Sequence, residues 1–233
     1  MKNRILGLCL ALLPSTLFSQ TSPSLPPQEV LHSFLQEHQV PGLAVALIDE
    51  GKVMETQYLG TGMPGHSIDE STFFNTASLT KSITAFLTLQ LIENGTLSLE
   101  EPLHPYWVDP DVVDDPRHQT LTPHILLSHQ SGFANWRWME EDEKLRFQFD
   151  PGTQFGYSGE GYEYLRRSLE AKQQSGFRSL VQENVFDPLH MENSHLSWVD
   201  EISEEQFAGE HKNLEEAYEI TKSAPNAADD LIT

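Results

Sequence analysis

The pattern of apolar and polar residues predicts a helix and then a β-hairpin in the first part of the chain. Residues 28–39 carry apolar side chains at helical spacing, and Pro41-Gly42 ends that pattern. Residues 43–48 form an apolar run typical of a buried strand, and a polar turn at residues 49–52 leads into a second strand over residues 53–59. Because the turn is short, the two strands should pair as an antiparallel hairpin.

Helical periodicity dominates the remainder of the chain. A helix is expected to start after Ser78 and to end at Asn94-Gly95, with further helices over residues 122–129, 161–174 and 177–186. The apolar stripe expected on the first of these helices consists of Leu79, Ile83, Phe86, Leu87 and Leu91. A hairpin followed by several helices, without βαβ alternation, predicts an α+β fold.

The first residues have the features of a secretory signal. A basic start is followed by an apolar run over residues 5–13 that is too short to span a bilayer, and small residues follow, with cleavage expected near Ser19. Residues 20–41 then form a Ser- and Pro-rich linker and the N-terminal helix. The signal predicts a secreted or periplasmic protein that has no membrane span once the signal is removed.

Charge and cysteine content exclude several classes of function. The formal net charge is −21, so nucleic acid and anionic membrane surfaces should repel the protein. Cys9 is the only cysteine and lies within the predicted signal, which leaves the mature chain without a disulfide or a thiolate nucleophile. The ten histidines lack the spacing of a zinc-binding helix, and we expect no metal site.

Ser78 and Lys81 are the first candidates for catalysis. They lie three residues apart at the start of the predicted helix, so their side chains share one face. A serine hydroxyl needs a neighbouring base to act as a nucleophile, and a partly desolvated lysine amine can supply one. The helix N-terminus also directs backbone N–H groups at the site, as half of an oxyanion hole would. Because Ser-x-x-Lys occurs by chance in chains of this length, the surrounding sequence must support it.

Tyr157 is the second candidate, because it lies in a Gly-rich turn before a helix, where its ring can enter a cleft. A tyrosinate beside a lysine ammonium is electrostatically favoured and could relay the serine proton. Simple packing of the ring is the alternative. Trp136 could line a substrate rim or could pack in the same ordinary way, and Glu160 is expected to be a solvated carboxylate at a helix start.

Five stretches of the chain, in order, resemble the serine β-lactamase-like family, which includes class C β-lactamases, penicillin-binding DD-peptidases and related esterases. The stretches are residues 74–81, which contain the nucleophile motif, 94–103, 126–133, 151–159, which contain the second motif, and 186–191. Together they span most of residues 42–233. Agreement of this extent and order favours a functional role for Ser78 over a chance match.

The resemblance implies an antiparallel sheet flanked by helices, with a helical subdomain. It also implies that Ser78 attacks a carbonyl carbon to form an acyl-enzyme, that Lys81 helps to remove its proton, and that Tyr157 acts as a base or proton relay. The Ser78 N–H would be one oxyanion donor, no metal or organic cofactor is implied, and the substrates would be small esters, amides or peptides. Which of Lys81 and Tyr157 is the acylation base stays open, since this point is disputed for Ser-x-x-Lys enzymes.

Two departures from the family pattern refine this expectation. Gly159 stands where the second motif commonly has Asn, whose amide helps to hold the substrate in β-lactam- and peptide-cleaving members. That change favours an esterase-like member, with Gly159 and Trp136 as candidate substrate-binding residues.

The third motif, a Lys- or His-led triplet ending in Gly on a C-terminal strand, is missing. Residues 42–233 are therefore expected to be the N-terminal part of a longer domain whose C-terminal strands are missing. The hairpin would then have an unpaired edge, and the isolated chain would be poorly folded or nearly inactive.

The favoured hypothesis is a serine hydrolase that cleaves an ester or an amide through an acyl-Ser78 intermediate. One alternative is a non-catalytic relative that only binds a ligand. The other is a DD-peptidase or β-lactamase that acts on cell-wall peptides or β-lactams. The sequence predicts neither the individual substrate nor the oligomeric state.

Overall fold

Helices and short strands alternate irregularly in the computed structural model, which describes residues 23–233 apart from 215, 221 and 223–225. The helices are α1 (Gln28–Glu37), α2 (Thr80–Glu93), α3 (Pro123–Leu127), α4 (Gly159–Gln173) and α5 (Phe177–Val181). The strands are β1 (Gly42–Asp49), β2 (Lys52–Met63), β3 (His66–Ser67), β4 (Phe73–Phe74), β5 (His195–Leu196), β6 (Phe207–Ala208) and β7 (Leu231–Ile232). Single 3₁₀ turns occur at Pro116–Thr120, Arg137–Met139 and Glu204–Gln206.

The predicted hairpin is present and is held in register by a close contact at its base. β1 and β2 pair antiparallel from the Gly42/Gly60 pair to the Asp49/Lys52 pair. Gly60 has a φ of +77°, and a Cβ at this position would lie 2.1 Å from the Pro41 carbonyl oxygen, so only glycine fits. Among the described residues β1 pairs with β2 alone, so its other edge is open, as the sequence analysis expects.

The helices predicted from periodicity are present, with shifts at their ends. α4 matches the helix predicted over residues 161–174, and Ser158 caps it by accepting a hydrogen bond from the Gly161 N–H. α3 is shorter than predicted and is followed by His129 in a left-handed conformation, with a φ of +57°. The helix predicted over residues 177–186 divides into α5 and a π-helical turn at Gln182–Phe186. In the part of the chain that is described, no helix is both long and apolar enough to cross a bilayer.

The main hydrophobic core lies among the helices rather than under the hairpin. Its largest fully buried side chains include Tyr164, Phe133, Phe177, Phe186, Leu165 and Leu169. Each side chain of this size contributes about 1.5–3 kcal/mol when it is removed from water. The core therefore anchors α4, whose first residues follow directly after Tyr157 and Ser158.

The buried face of α2 differs from the predicted apolar stripe. Leu79 is 66% exposed and Phe86 is 38% exposed. The buried positions are Thr80, Lys81, Thr84, Leu87, Thr88 and Leu91. The Thr84 hydroxyl, for example, donates to the Ala227 carbonyl oxygen at 2.7 Å. The prediction is confirmed for Leu87 and Leu91, which are buried, and is wrong for Leu79 and Phe86. It also missed the threonines, because it was built from apolar residues, whereas threonine can be buried at little cost when its hydroxyl is hydrogen-bonded.

The last described segment, residues 226–233, crosses the start of α2. The Leu231 N–H donates to the Thr80 hydroxyl at 2.8 Å, and Phe74 and Thr233 exchange two backbone hydrogen bonds of 2.8 and 3.1 Å. β7 also pairs antiparallel with β5. This docking places Ala228 and Asp229 against the first turn of α2, next to the predicted nucleophile.

Candidate active site

Ser78 lies in a tight turn between β4 and α2, one residue before the N-cap of the helix. The preceding residue, Ala77, has a φ of +45°, an unfavourable conformation for a side chain with a Cβ. It is held there because its N–H donates to Asn75 Oδ1 at 2.7 Å and because the Thr76 N–H donates to the Leu231 carbonyl oxygen at 2.9 Å. The turn leaves the Ser78 side chain exposed at the end of α2.

Lys81 is buried, at 6% exposure, and its ammonium group points at Ser78. Its Nζ donates to Ser78 Oγ at 3.0 Å and to the Ala228 carbonyl oxygen at 3.0 Å, and Asp229 Oδ1 lies 3.5 Å away. An ammonium has three N–H donors and no acceptor, so three oxygen neighbours satisfy it. A buried lysine with these partners is oriented toward the serine.

Tyr157 meets the same pair of residues from the loop before α4. The Lys81 Nζ lies 5.0 Å from the centre of the tyrosine ring, and the ring is 43% exposed toward the opening of the site. Partial burial raises the pKa of Tyr157. Hydrogen bonding with Lys81 and Ser78, together with the charge of Lys81, outweighs that effect and holds the pKa below its ordinary value. The structure therefore brings Ser78, Lys81 and Tyr157 together.

His129 supports the tyrosine ring. The two rings lie 4.5 Å apart, and His129 Nδ1 accepts a hydrogen bond from the Ser158 N–H at 3.1 Å. Burial and then the charge of Lys81 lower the pKa of His129, which keeps the imidazole neutral. Because the neutral imidazole accepts a hydrogen bond from the Ser158 N–H, it fixes the loop that carries Tyr157 without adding a second positive charge beside Lys81.

Gly159 and Trp136, the two candidate substrate-binding residues, are in direct contact. A Cβ at position 159 would lie 2.6 Å from two carbons of the indole ring, closer than any ordinary contact. The Gly159 N–H donates to Asn135 Oδ1 at 2.9 Å, and the indole centre lies 5.9 Å from the Lys81 Nζ. The indole of Trp136 therefore occupies the volume that a side chain at position 159 would fill.

Glu160 is not the solvated carboxylate that the sequence analysis expects. It is 6% exposed, and its Oε2 lies 2.8 Å from Arg137 Nη2, which is also 2.8 Å from Asp109 Oδ2. Burial by itself would lower the pKa of Arg137, but hydrogen bonds and ion pairs with Glu160 and Asp109 raise it above its ordinary value. The prediction is wrong because the long excursion after α3 brings a distant cation to the helix start. The cluster ties the Trp136 loop to α4.

Asp229 is a residue of the site that the sequence analysis missed. Ser78 Oγ donates to Asp229 Oδ1 at 2.9 Å, although 151 positions separate the two residues. Asn226 shapes the turn, because its Oδ1 accepts from the N–H groups of Ala228 and Asp229 at 2.7 Å each. The acidic pair near the end of the chain was visible in the sequence, but nothing local to it indicated that β7 would carry it to Ser78.

No convergent group of three His, Cys, Asp or Glu side chains with metal-binding geometry is found within the described residues. The polar groups that do converge here are the Ser78 hydroxyl, the Lys81 amine, the Tyr157 phenol and the Asp229 carboxylate. This set suits proton transfer and nucleophilic attack on a carbonyl group.

Residues 28–232 match the protein family described as Beta-lactamase. The chain belongs to the β-lactamase family. The matched region contains the complete cluster around Ser78, and membership confirms the resemblance drawn from the five sequence stretches. The catalytic roles of Ser78, Lys81 and Tyr157 stay predictions.

Two curated relatives differ in the activity that their names state. Penicillin-binding protein 4 of Amycolatopsis lactamdurans is 28% identical over 184 residues, which are 72% of this chain and 48% of that protein. Lovastatin esterase of Penicillium rubens is 28% identical over 201 residues, which are 64% of this chain and 50% of that protein. The chain therefore spans about half the length of the curated relatives that it matches.

A solved structure supports the same architecture. The D-alanine carboxypeptidase AmpC of Burkholderia cenocepacia superposes with a TM-score of 0.73 over 88% of this chain and 59% of that chain, at 20% sequence identity. Likeness at this identity concerns the fold alone, and it confirms the predicted α+β, β-lactamase/transpeptidase-like class. The predicted signal over residues 1–19 lies outside the described residues, and secretion stays a prediction.

Proposed function

We propose that this β-lactamase-family chain is an esterase-like serine hydrolase that forms an acyl-enzyme on Ser78. The observation that carries the proposal is the 3.0 Å hydrogen bond from the buried Lys81 ammonium to the Ser78 hydroxyl, with the Tyr157 ring against the same ammonium. A buried lysine costs several kcal/mol unless it is well paired. The position of the buried Lys81 beside an exposed serine is therefore better explained by a role in catalysis than by packing.

The proposed reaction has two halves. In the first, Ser78 Oγ loses its proton to a neighbouring base and attacks the carbonyl carbon of the substrate, while the Lys81 charge stabilises the developing alkoxide. The Ser78 N–H, at the positive end of α2, supplies one hydrogen bond to the oxyanion. Tyr157 relays a proton to the leaving group. In the second half, water attacks the acyl carbon and Ser78 is released.

The contact between Gly159 and Trp136 supports an ester substrate rather than an amide. An amide substrate presents an N–H that an oxygen acceptor in the site would hold, and Gly159 has no side chain to provide one. The indole of Trp136, which occupies the volume of a side chain at position 159, presents an apolar surface beside Lys81. Such a surface suits the acyl or alkyl part of an apolar ester.

A second candidate function is cleavage of cell-wall peptides or β-lactams. The observation in its favour is the similarity to Penicillin-binding protein 4 over 72% of this chain. A non-catalytic relative that only binds a ligand is the third possibility that the test must separate. Secretion or export to the periplasm is part of the proposal and rests on residues 1–19 alone.

Covalent labelling of the 233-residue chain tests the proposal. The purified protein is incubated with a fluorophosphonate probe or with a fluorescent penicillin, and labelling is measured on wild type, Ser78→Ala and Ser82→Ala. Ser82 is the matched control, because it is an exposed serine on the same helix. Intact-mass spectrometry then counts the adducts per chain, and peptide mapping locates them.

We expect fluorophosphonate labelling that Ser78→Ala abolishes and Ser82→Ala leaves unchanged, with little penicillin labelling. Ser78-dependent labelling by penicillin would instead favour the β-lactamase or DD-peptidase alternative. A folded protein that reacts with neither probe would contradict the hydrolase proposal and would favour the binding-only alternative.

A further inference from the structure

We infer that Asp229 makes the site selective against substrates that carry a negative charge beside the scissile carbonyl group, so that uncharged and cationic esters are preferred. The inference rests on the proposed function, since it names the substrate class of the same nucleophile. Asp229 Oδ1 lies 2.9 Å from Ser78 Oγ, and the aspartate side chain is 34% exposed. A substrate whose carbonyl carbon reaches Ser78 must therefore pass next to this carboxylate.

Lys81 does not offset the carboxylate for an approaching substrate. It is 6% exposed, and its Nζ already lies 3.0 Å from Ser78 Oγ, 3.0 Å from the Ala228 carbonyl oxygen and 3.5 Å from Asp229 Oδ1. A protonated Lys81 balances the charge of Asp229, and a neutral Lys81 leaves that charge unbalanced. In neither state does the pair carry a net positive charge, and ionisation of Tyr157 beside it would add a further negative charge.

The surface next to the nucleophile favours the same selectivity. A cavity of about 350 Å³ is bordered by the residue before Ser78, and its lining includes Asn75, Ala77, Phe207, Ile220, Glu210 and Glu219. Both glutamates are exposed. Of the described residues that line the cavity, none is a lysine, an arginine or a histidine. A substrate group in this cavity meets apolar side chains and two carboxylates, which suit an apolar or cationic group and repel an anionic one.

The position of Asp229 is fixed by hydrogen bonds on both sides of it. Asn226 Oδ1 accepts from the Asp229 N–H at 2.7 Å, and the Leu231 N–H donates to the Thr80 hydroxyl at 2.8 Å. The charge therefore stays beside Ser78 when a substrate arrives. Penicillins and peptides with a free C-terminus carry a carboxylate, whereas simple esters do not, so this selectivity favours the esterase proposal over the second candidate function.

Three esters with the same acyl group test the inference on the 233-residue chain. Phenyl acetate is uncharged, 3-acetoxybenzoate carries a carboxylate on the ring, and (3-acetoxyphenyl)trimethylammonium carries a fixed cation. The kcat/KM for each ester is measured on wild type, Asp229→Asn and Glu141→Gln. Asp229→Asn removes the charge but keeps the size of the side chain and an oxygen that can accept from Ser78. Glu141→Gln is the control, because it removes one negative charge from another exposed position, and thermal unfolding establishes that each variant is folded.

We expect the ratio of kcat/KM for phenyl acetate to that for 3-acetoxybenzoate to fall by about 10-fold in Asp229→Asn. This is the effect of two unit charges about 6 Å apart at an effective dielectric constant of about 40. The preference for the cationic ester over phenyl acetate should fall as well, because an attraction is lost. A merely structural role of Asp229 would lower all three rates together and leave both ratios unchanged, and Glu141→Gln should have the ratios of wild type.

Equal ratios in wild type and Asp229→Asn, or an equal change in Glu141→Gln, would overturn the inference. If Asp229→Asn does not fold, the salt dependence of wild type decides. Its preference for phenyl acetate over 3-acetoxybenzoate should weaken between about 20 mM and about 500 mM salt, because salt screens exposed charges. A preference that does not change with salt would overturn the inference. Absence of Ser78-dependent fluorophosphonate labelling in wild type would instead overturn the proposed function itself.

Discussion

Substitution of Gly159 by alanine tests whether the indole of Trp136 fills the place of a side chain at this position. The added Cβ would lie 2.6 Å from two ring carbons and 2.9 Å from a third. Ordinary carbon contacts begin near 3.5 Å, so the ring or the start of α4 would have to move by about 1 Å.

That movement is opposed on both sides of the indole. Asn135 accepts from the Gly159 N–H, and Arg137 is bonded to Glu160. Overpacking at a constrained site typically costs about 1–3 kcal/mol. For a chain of this size each kcal/mol lowers the melting temperature by about 2–4 °C. We therefore expect a clear loss of stability from a single methyl group.

The assay is urea-induced unfolding of Gly159→Ala in two backgrounds, wild type and Trp136→Ala. When the indole is absent, the added methyl group should hardly change the free energy of unfolding. The coupling energy between the two substitutions should therefore be about the full cost of overpacking. Gly176→Ala is the control, because a Cβ there meets nothing within 4 Å. An effect of Gly159→Ala that is the same in both backgrounds would refute the assignment of that volume to Trp136.

Two further substitutions test the charges around the site. Arg137→Met should destabilise the fold by about 3–5 kcal/mol in urea unfolding, because it leaves Glu160 buried without its cation. Arg146→Met, at an exposed ion pair, should cost less than about 1 kcal/mol, and equal costs for the two would contradict this reasoning. Tyr157 should ionise below the ordinary tyrosine pKa of 10.0, as a component of the tyrosinate absorbance titration that Tyr157→Phe removes. Because its folded pKa is lowered, its ionisation stabilises the fold as pH rises through the folded pKa, and that contribution is lost again as pH falls. A titration with no component below pH 10 would contradict the lowered pKa.

Local spacing was sufficient to predict part of the site from the sequence. Ser78 and Lys81 are neighbours on one helical turn, so the pattern itself implied their contact, and the 3.0 Å hydrogen bond agrees with it. Local spacing was not sufficient for Tyr157, because its approach to Lys81 depends on how α4 packs against the rest of the core. Its Gly-rich turn and its position before a helix start indicated a residue directed into a cleft, although not which cleft.

Contacts between distant segments explain what the sequence analysis missed. Glu160 was assigned to solvent because the residues around it gave no partner. Its partner Arg137 comes from an irregular excursion whose path no periodicity describes. Asp229 depends on the pairing of two-residue strands, which are too short to leave a pattern in the sequence.

The missed face of α2 and the missed carboxylate have one physical cause. α2 buries a row of polar groups, and three of them bind the last described segment. Thr80 accepts from the Leu231 N–H, Lys81 donates to the Ala228 carbonyl oxygen, and Thr84 donates to the Ala227 carbonyl oxygen. An apolar stripe in these positions would leave those backbone groups buried without partners, at about 1–3 kcal/mol each. The threonines on this buried face therefore hold the C-terminal segment on the helix, and this docking is what delivers Asp229 to Ser78.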